Sequence, residues 1–268
     1  MVDPRTLSEP IGVESLFSIN DKVALVTGGS RGIGIMIARG FVEAGAKVYI
    51  TSRSADVCAD VAAEFSHIGR CTALPMDLSS TAGCEALATE LSEREEALHI
   101  LVNNAGATWG EPIETFPEEG FDKVMNLNVK SVFFLTRELL PLLEEAAEDA
   151  DPARVINVGS IHGIAPPFLP NFSYAASKAA VHHLTRTLAV HLGARRITVN
   201  AIAPGPFESK MTEWLLENHR GAFEEACPLG RIGSPSDVAG AAIYLASRAA
   251  SYVNGAVIPV DGGLVLKS

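Results

Sequence analysis

The sequence predicts a doubly wound α/β fold, a parallel sheet with helices on both faces. Three observations carry that prediction. Short β-branched runs alternate with helical patterns from residue 22 onward. The runs are apolar almost throughout rather than at every second residue, as strands buried on both faces are. A glycine-rich turn joins the first run to the first helical stretch.

The strands are read at 22–28, 47–52, 71–77, 100–106, 154–160, 197–205 and 256–263, and the helices at about 32–44, 55–65, 80–96, 117–147, 173–193, 210–220 and 235–247. No linker, repeat or low-complexity tract interrupts them, so residues 20–268 are expected to form one dinucleotide-binding catalytic domain. Residues 1–19, with Pro4 and Pro10, read as an N-terminal arm.

Composition narrows the function classes. With 47% hydrophobic and 20% charged residues the chain can bury a sizeable core. A net charge of −11 argues against nucleic acid and anionic membrane surfaces as partners. No apolar run approaches the ~18 residues of a membrane span. The N-terminal stretch carries Asp3, Pro4, Glu9 and Pro10 where a signal peptide is basic and then apolar, so a cytoplasmic protein is expected. Cys58, Cys71, Cys84 and Cys227 form no CxxC and fall on helices and a strand, which suits free thiols.

The segment "VALVTGGSRGIGIMIARGF" is a strand, a tight turn and a helix, with Gly28, Gly32 and Gly34 spaced G-x3-G-x-G. Glycines let the backbone approach a pyrophosphate, and the helix N-terminus offers it unpaired N–H groups. An NAD site usually places an acid about 20 residues further on. Here the second strand ends in "YITSRSAD", with Arg53 before any acid and Arg31 inside the turn. Two guanidiniums near the adenosine ribose suit a 2′-phosphate, so NADP(H) is the expected cofactor. NAD stays open if Arg53 is only a solvated loop residue.

In "FSYAASKAAVHHLTRTLAVHL" (172–192), Tyr174, Lys178, Val181, Thr185, Leu188 and Leu192 share one helical stripe. An ammonium beside a phenol on an inward face costs free energy unless something pairs with them. The opposite side, with Ala176, Ala179, Ala180, His183, Thr187 and Val190, is small and nearly uncharged, and is expected to pack on another subunit.

Seven short motifs, "TGGSRGIG" (27–34), "DL" (77–78), "NNAG" (103–106), "LNV" (127–129), "GS" (159–160), "YAASK" (174–178) and "PG" (204–205), stand in one register. With them the chain resembles the short-chain dehydrogenase/reductase family over about residues 20–264. The resemblance implies strand order 3-2-1-4-5-6-7 and usually a tetramer. It implies that Gly28, Ser30, Arg31, Gly32, Ile33 and Gly34 shape the cofactor turn. Asp77, with Leu78 beside it, would meet the adenine, and Asn104, Ala105 and Gly106 would line the ribose. Pro204, Gly205 and Phe207 would cover the nicotinamide. Asn128, Ser160, Tyr174 and Lys178 match the family's catalytic tetrad, and the last two also face the cofactor.

The chemistry suits those residue types. A carbonyl that accepts hydride needs a proton at oxygen, and a free tyrosine, with a pKa near 10, gives one up reluctantly. Lys178 is expected to lower that pKa, Ser160 to hold the substrate oxygen, and Asn128 to hold a water behind Lys178. His182 and His183 are adjacent and point apart, and with His191 they form no expected metal site. His162 is a candidate cleft residue.

Two segments are expected to shape the substrate site: 162–172, with Phe168 and Leu169, and 206–228, with Phe207, Met211 and Trp214, a possible closing lid. Their side chains favour a substrate with apolar parts, and within the family the chain looks most similar to 3-oxoacyl reductases. Reductases acting on acyl carrier protein tend to present basic residues near the end of the fourth helix. Here that region carries Glu144, Glu145, Glu148, Asp149 and Asp151, which disfavours an acidic carrier, although Arg195 and Arg196 stand elsewhere. A 3-oxoacyl-CoA, a small ketone or a polyol is therefore also open. So are an NAD(P)-dependent alcohol, sugar or polyol dehydrogenase running toward oxidation, and a non-catalytic dinucleotide-binding or scaffold protein.

Overall fold

Alternation along the strands sets the layers. In β1 (Val23–Thr27), Val23 and Leu25 enter one hydrophobic cluster while Ala24 and Val26 enter another on the opposite face. The computed structural model describes residues 11–167, 169–210 and 212–267. After β1 come β2 (Lys47–Thr51), β3 (Arg70–Ala73), β4 (Ile100–Asn103), β5 (Ala153–Val158), β6 (Ile197–Pro204) and β7 (Val257–Val260). All pair in parallel, in the order β3-β2-β1-β4-β5-β6-β7, as the resemblance implies. The order reverses between β1 and β4, which opens a crevice beyond their carboxyl ends.

The helices are α1 (Val13–Phe17), α2 (Gly32–Glu43), α3 (Ala55–Ser66), α4 (Thr81–Ser92), α5 (Glu118–Met125), α6 (Ser131–Glu138), α7 (Leu140–Glu145), α8 (Phe172–Leu192), α9 (Glu213–Ala226) and α10 (Pro235–Ala246). Ile37, Phe41, Phe65, Val238 and Leu245 bring α2, α3 and α10 onto one face of the sheet. Leu87, Leu135, Leu143, Ala189 and Leu192 bring α4, α6, α7 and α8 onto the other. Among the described residues no helix is long and apolar enough to cross a membrane.

Three boundaries differ from the sequence reading. The single helix expected over 117–147 is broken into α5, a π-helical turn at Asn126–Lys130, α6 and α7. Pro141, in the first turn of α7, lacks the N–H that would continue α6. The strands stop short of their apolar runs, β3 at Ala73 and β4 at Asn103, and release the loops that build the site. Part of the expected arm packs on the body: Phe17 meets Tyr244 at 6.3 Å between ring centroids, and Ile19 is fully buried.

Polar side chains cross the second layer near the carboxyl ends of β4 and β5. Asn103 donates to Thr136 Oγ1 (3.2 Å) and to Asn157 Oδ1 (2.9 Å), and Asn157 Nδ2 donates to Thr185 Oγ1 (2.9 Å). Asn103 and Asn157 face each other in register, so this ladder ties two strands to α6 and α8. Asn157 is fully buried, and its removal leaves partners unpaired. Asn157→Ala should therefore lower unfolding stability by about 1–3 kcal/mol, read as a lower urea midpoint.

Candidate active site

The glycine turn is a cradle with little room for side chains. Gly28 takes φ +64°, where a Cβ would also stand 2.8 Å from Asn104 Nδ2; at Gly34 a Cβ would meet Gly28 O at 2.2 Å. Thr27 Oγ1 accepts the N–H groups of Asn104 and Ala105, both at 2.9 Å, and Asn104 Nδ2 donates to Thr27 O at 2.8 Å. These bonds lock the end of β1 to the "NNAG" segment across the crevice. The first N–H groups of α2 open onto it. Arg31, at the N-terminus of α2, and Arg53, just past β2, stand exposed, with no side-chain hydrogen bond or ion pair among the described residues.

The tetrad residues converge beyond β5. Lys178 is 6% exposed, donates to Val158 O at 2.7 Å, and has Nζ 5.6 Å from the centroid of the Tyr174 ring. Ser160 follows β5, and its Oγ accepts the backbone N–H of His162 at 3.2 Å. Asn128 lies on the π-helical turn. Its Oδ1 accepts from Ala107 N (2.8 Å), and its Nδ2 donates to Ala107 O and Ser177 Oγ (2.9 Å each). With both amide hydrogens committed to protein, its side chain braces the β4 loop against α8.

Burial dominates the ionisation of the pair. It pushes the Lys178 ammonium down to about 8. It pushes the Tyr174 phenol above its ordinary value, with a hydrogen bond to Ser160 acting in the opposite direction. The direction is therefore opposite to the lowering expected from Lys178: desolvation sets it, and the counteracting group is Ser160.

The structure sorts the other expected residues. Ser30 is buried within the turn, Ile33 packs on the first cluster, and Asp77 is exposed with Oδ1 accepting Ser79 N–H at 3.0 Å. Leu78 and Phe207 are core side chains, the Phe207 ring lying against Gly233, so only their backbones are free to meet a cofactor. Gly205 is fixed by its N–H to Val260 O at 3.0 Å, next to Pro204 at the end of β6. Gly106 abuts Asn128, where a Cβ would lie 3.2 Å from Oδ1.

Among the substrate candidates, His162 is half-buried and stands edge-on to Tyr174, with ring centroids 6.2 Å apart. Leu169 is half-buried in the same loop. Trp214 is 62% exposed, against His219 on α9, so it is turned to solvent. Phe168 and Met211 lie outside the described residues. Sequence reasoning missed Trp109, under which Gly120 and Lys123 pack, and the edge-to-face pair Phe116–Phe172 at 5.9 Å. The signal for Trp109 was an aromatic three residues past "NNAG". It weighed His182 only as a metal ligand, whereas the side chain is buried behind Ser160.

Known proteins share this architecture. A family model described as Enoyl-(Acyl carrier protein) reductase matches residues 28–265. The chain is 50% identical over 252 residues to the rhamnolipids biosynthesis 3-oxoacyl-[acyl-carrier-protein] reductase of Pseudomonas aeruginosa, covering 93% of this chain and 98% of that one. It is 33% identical over 264 residues to the gluconate 5-dehydrogenase of Gluconobacter oxydans, covering 94% and 97%. The solved Pseudomonas aeruginosa RhlG/NADP active-site complex superposes with a TM-score of 0.91 at 49% identity, covering 94% of this chain and 99% of that one. With its glycine cradle and tetrad in the family's register, the chain belongs to the short-chain dehydrogenase/reductase family of oxidoreductases.

Proposed function

We propose that the chain is an NADP(H)-dependent reductase that interconverts a 3-oxoacyl thioester and its 3-hydroxyacyl form. The observation that carries this reading is the gathering of Ser160, Tyr174 and Lys178 past the end of β5, with Asn128 joining their helix to the loop that follows "NNAG". The substrate class rests on the 50% identity to a 3-oxoacyl-[acyl-carrier-protein] reductase. The cradle fits a dinucleotide, since it excludes side chains where a pyrophosphate would lie, and unpaired Arg31 and Arg53 suit a 2′-phosphate. When bound, the reduced cofactor supplies the hydride.

The chain's own residues do the rest. Ser160 Oγ accepts from His162 N–H and its hydroxyl is bonded to the Tyr174 phenol, so serine and tyrosine stand together where both could bond a substrate carbonyl. Tyr174, held protonated by burial, delivers a proton to that oxygen as it gains charge. Lys178 stays mostly protonated at neutral pH and stabilises the tyrosinate left behind. Trp109, Phe116 and Phe172 give the neighbouring loops an apolar character suited to an acyl chain.

A second reading, oxidation of a sugar acid, is favoured by the gluconate 5-dehydrogenase relative. The same proposal extends to a cytoplasmic homo-oligomer, a tetramer by family habit. Four free cysteines suit a reducing compartment. Ala176, Ala179, His183, Thr187 and Val190 present an exposed side of α8 on which Arg186 is the single formal charge.

Turnover of a 3-oxoacyl-CoA with NADPH, followed by the loss of NADPH absorbance, should exceed turnover of gluconate with NADP. Tyr174→Phe should lose about 10²–10⁴ of that rate while binding NADPH normally. Faster gluconate oxidation would select the second reading, and full activity in Tyr174→Phe would remove the tyrosine from its role. Arg53→Ala should weaken NADPH about 10- to 100-fold, the value of a charge-assisted hydrogen bond, and leave NADH within about threefold; equal losses would refute the 2′-phosphate assignment. Because burial pushes the Lys178 ammonium down to about 8, kcat/KM for NADPH should be level below that pH and fall above it. A profile flat to well above that value would show that its proton is not required.

A further inference from the structure

Three successive residues at the exit of β5 are tied down by three hydrogen bonds. Val158 O accepts Lys178 Nζ at 2.7 Å, Gly159 N–H donates to Ile202 O at 2.7 Å, and Ser160 N–H donates to His182 Nε2 at 3.4 Å. The middle bond is made to β6. The outer two are made to side chains of α8 one turn apart on the same face, which is where i and i+4 positions fall. His182 is 4% exposed, although it sits in a helix whose neighbouring His183 is exposed.

The bond to Ser160 is the longest of the three, and shape supplies the rest of the hold. A Cβ at Gly159 would lie 2.1 Å from His182 Nε2, and one at Gly163 would lie 2.7 Å from His182 Cε1. The imidazole is therefore wedged between the two glycines that bracket Ser160, Ile161 and His162. The same short loop closes on itself through Gly163 N–H to Ser160 O at 2.9 Å. A side chain at Gly159 would collide with the ring and one at Gly163 with both the ring and the Lys178 backbone, and among the described residues the ring is the acceptor that the Ser160 amide meets.

We propose that His182 is a positioning residue for the reaction: as a neutral imidazole, its Nε2 accepts the Ser160 amide and its ring fixes the loop that aims the Ser160 hydroxyl. Burial pushes this ring down to about 4, Lys178 and Arg186 oppose its charge further, and a backbone bond to Gly163 acts the other way; the ring is neutral near neutral pH, and the Ser160 N–H aimed at Nε2 makes that nitrogen the acceptor. His182 need touch neither substrate nor cofactor. It acts through Ser160, where a misplacement of about 1 Å can cost about 10²-fold in rate.

The inference rests on Ser160 being the donor to the substrate oxygen, and Ser160→Ala tests that separately. His182→Leu keeps the bulk without the acceptor and should lower kcat about 10- to 100-fold, with the Kd for NADPH within about twofold of wild type. His182→Gln returns an acceptor near the Nε2 position and should recover most of the lost kcat at similar thermal stability. Leu and Gln variants equally slow, or a Leu variant as fast as wild type, would overturn the proposal. A Ser160→Ala variant with full turnover would instead bring down the serine assignment and this inference with it. Should His182→Leu not fold, the imidazole nitrogen shifts of the wild-type protein decide: an unprotonated Nε2 near neutral pH supports the proposal, and a proton on Nε2 overturns it.

Discussion

The catalytic end of the molecule depends on how one buried ammonium is accommodated. Lys178 is 6% exposed, and its partners are a single carbonyl, Val158 O, and the face of the Tyr174 ring. Such a group is expensive to desolvate unless it is paired, and no carboxylate among the described residues is bonded to it. The linkage follows from the sign of the shift. Its pKa falls from 10.5 to about 8 on folding, so the unfolded chain binds the proton more tightly. The penalty is full below the folded value and is relieved as pH rises toward the unfolded one. Lys178 is kept against the interest of stability, which fits the role proposed for it, since functional groups often carry such a cost.

The surroundings keep that strained corner ordered. Thr27 joins the ends of β1 and β4, Asn128 braces the β4 loop on α8, and the Thr136–Asn103–Asn157–Thr185 ladder ties β4 and β5 to their covering helices. These are buried polar contacts with their partners in place, which rigidify a site where unpaired groups would weaken it. The π-helical turn belongs to the same design. It departs from α-helical spacing at the point where Asn128 must reach both Ala107 and Ser177.

The layers and strand order were legible because apolar strands and amphipathic helices are local patterns, and the family motifs stand in one register. The π-helical turn was not, since nothing local in "MNLNVKS" distinguishes it from an ordinary helix; the cause is a tertiary bracing bond. Phe207 read as a wall of the site because it follows "PG", yet Gly233, far along the chain, offers the surface that buries it. Trp214 read as part of a lid, but its place on α9 turns it to solvent. The Tyr174–Lys178 pair was found from its periodicity, whereas the direction of the tyrosine shift needed the depth of burial. His182 shares the periodicity of Lys178 and was weighed only as a metal ligand, because Gly159 and Gly163, which make room for it beside Ser160, lie on another element.

The acidic run after α7 has a different meaning in three dimensions. Glu144 is paired with Arg195, Asp149 with Arg196 at 3.0 Å, and Asp151 with both Lys22 (2.7 Å) and Arg154 (2.9 Å). Glu145 and Glu148 are left as the exposed charges without an ion pair among the described residues. The repulsion expected between this helix end and an acidic carrier is correspondingly weaker, since each pair is nearly neutral beyond about a Debye length of 8 Å. The same pairing removes Arg195 and Arg196 as free docking cations, so the patch neither attracts nor strongly repels. Discrimination between a carrier protein and CoA thus falls to the overall charge of −11 and to the loops around Tyr174. The overall charge acts mainly on encounter rates and fades with salt, which leaves the loops to decide what stays bound.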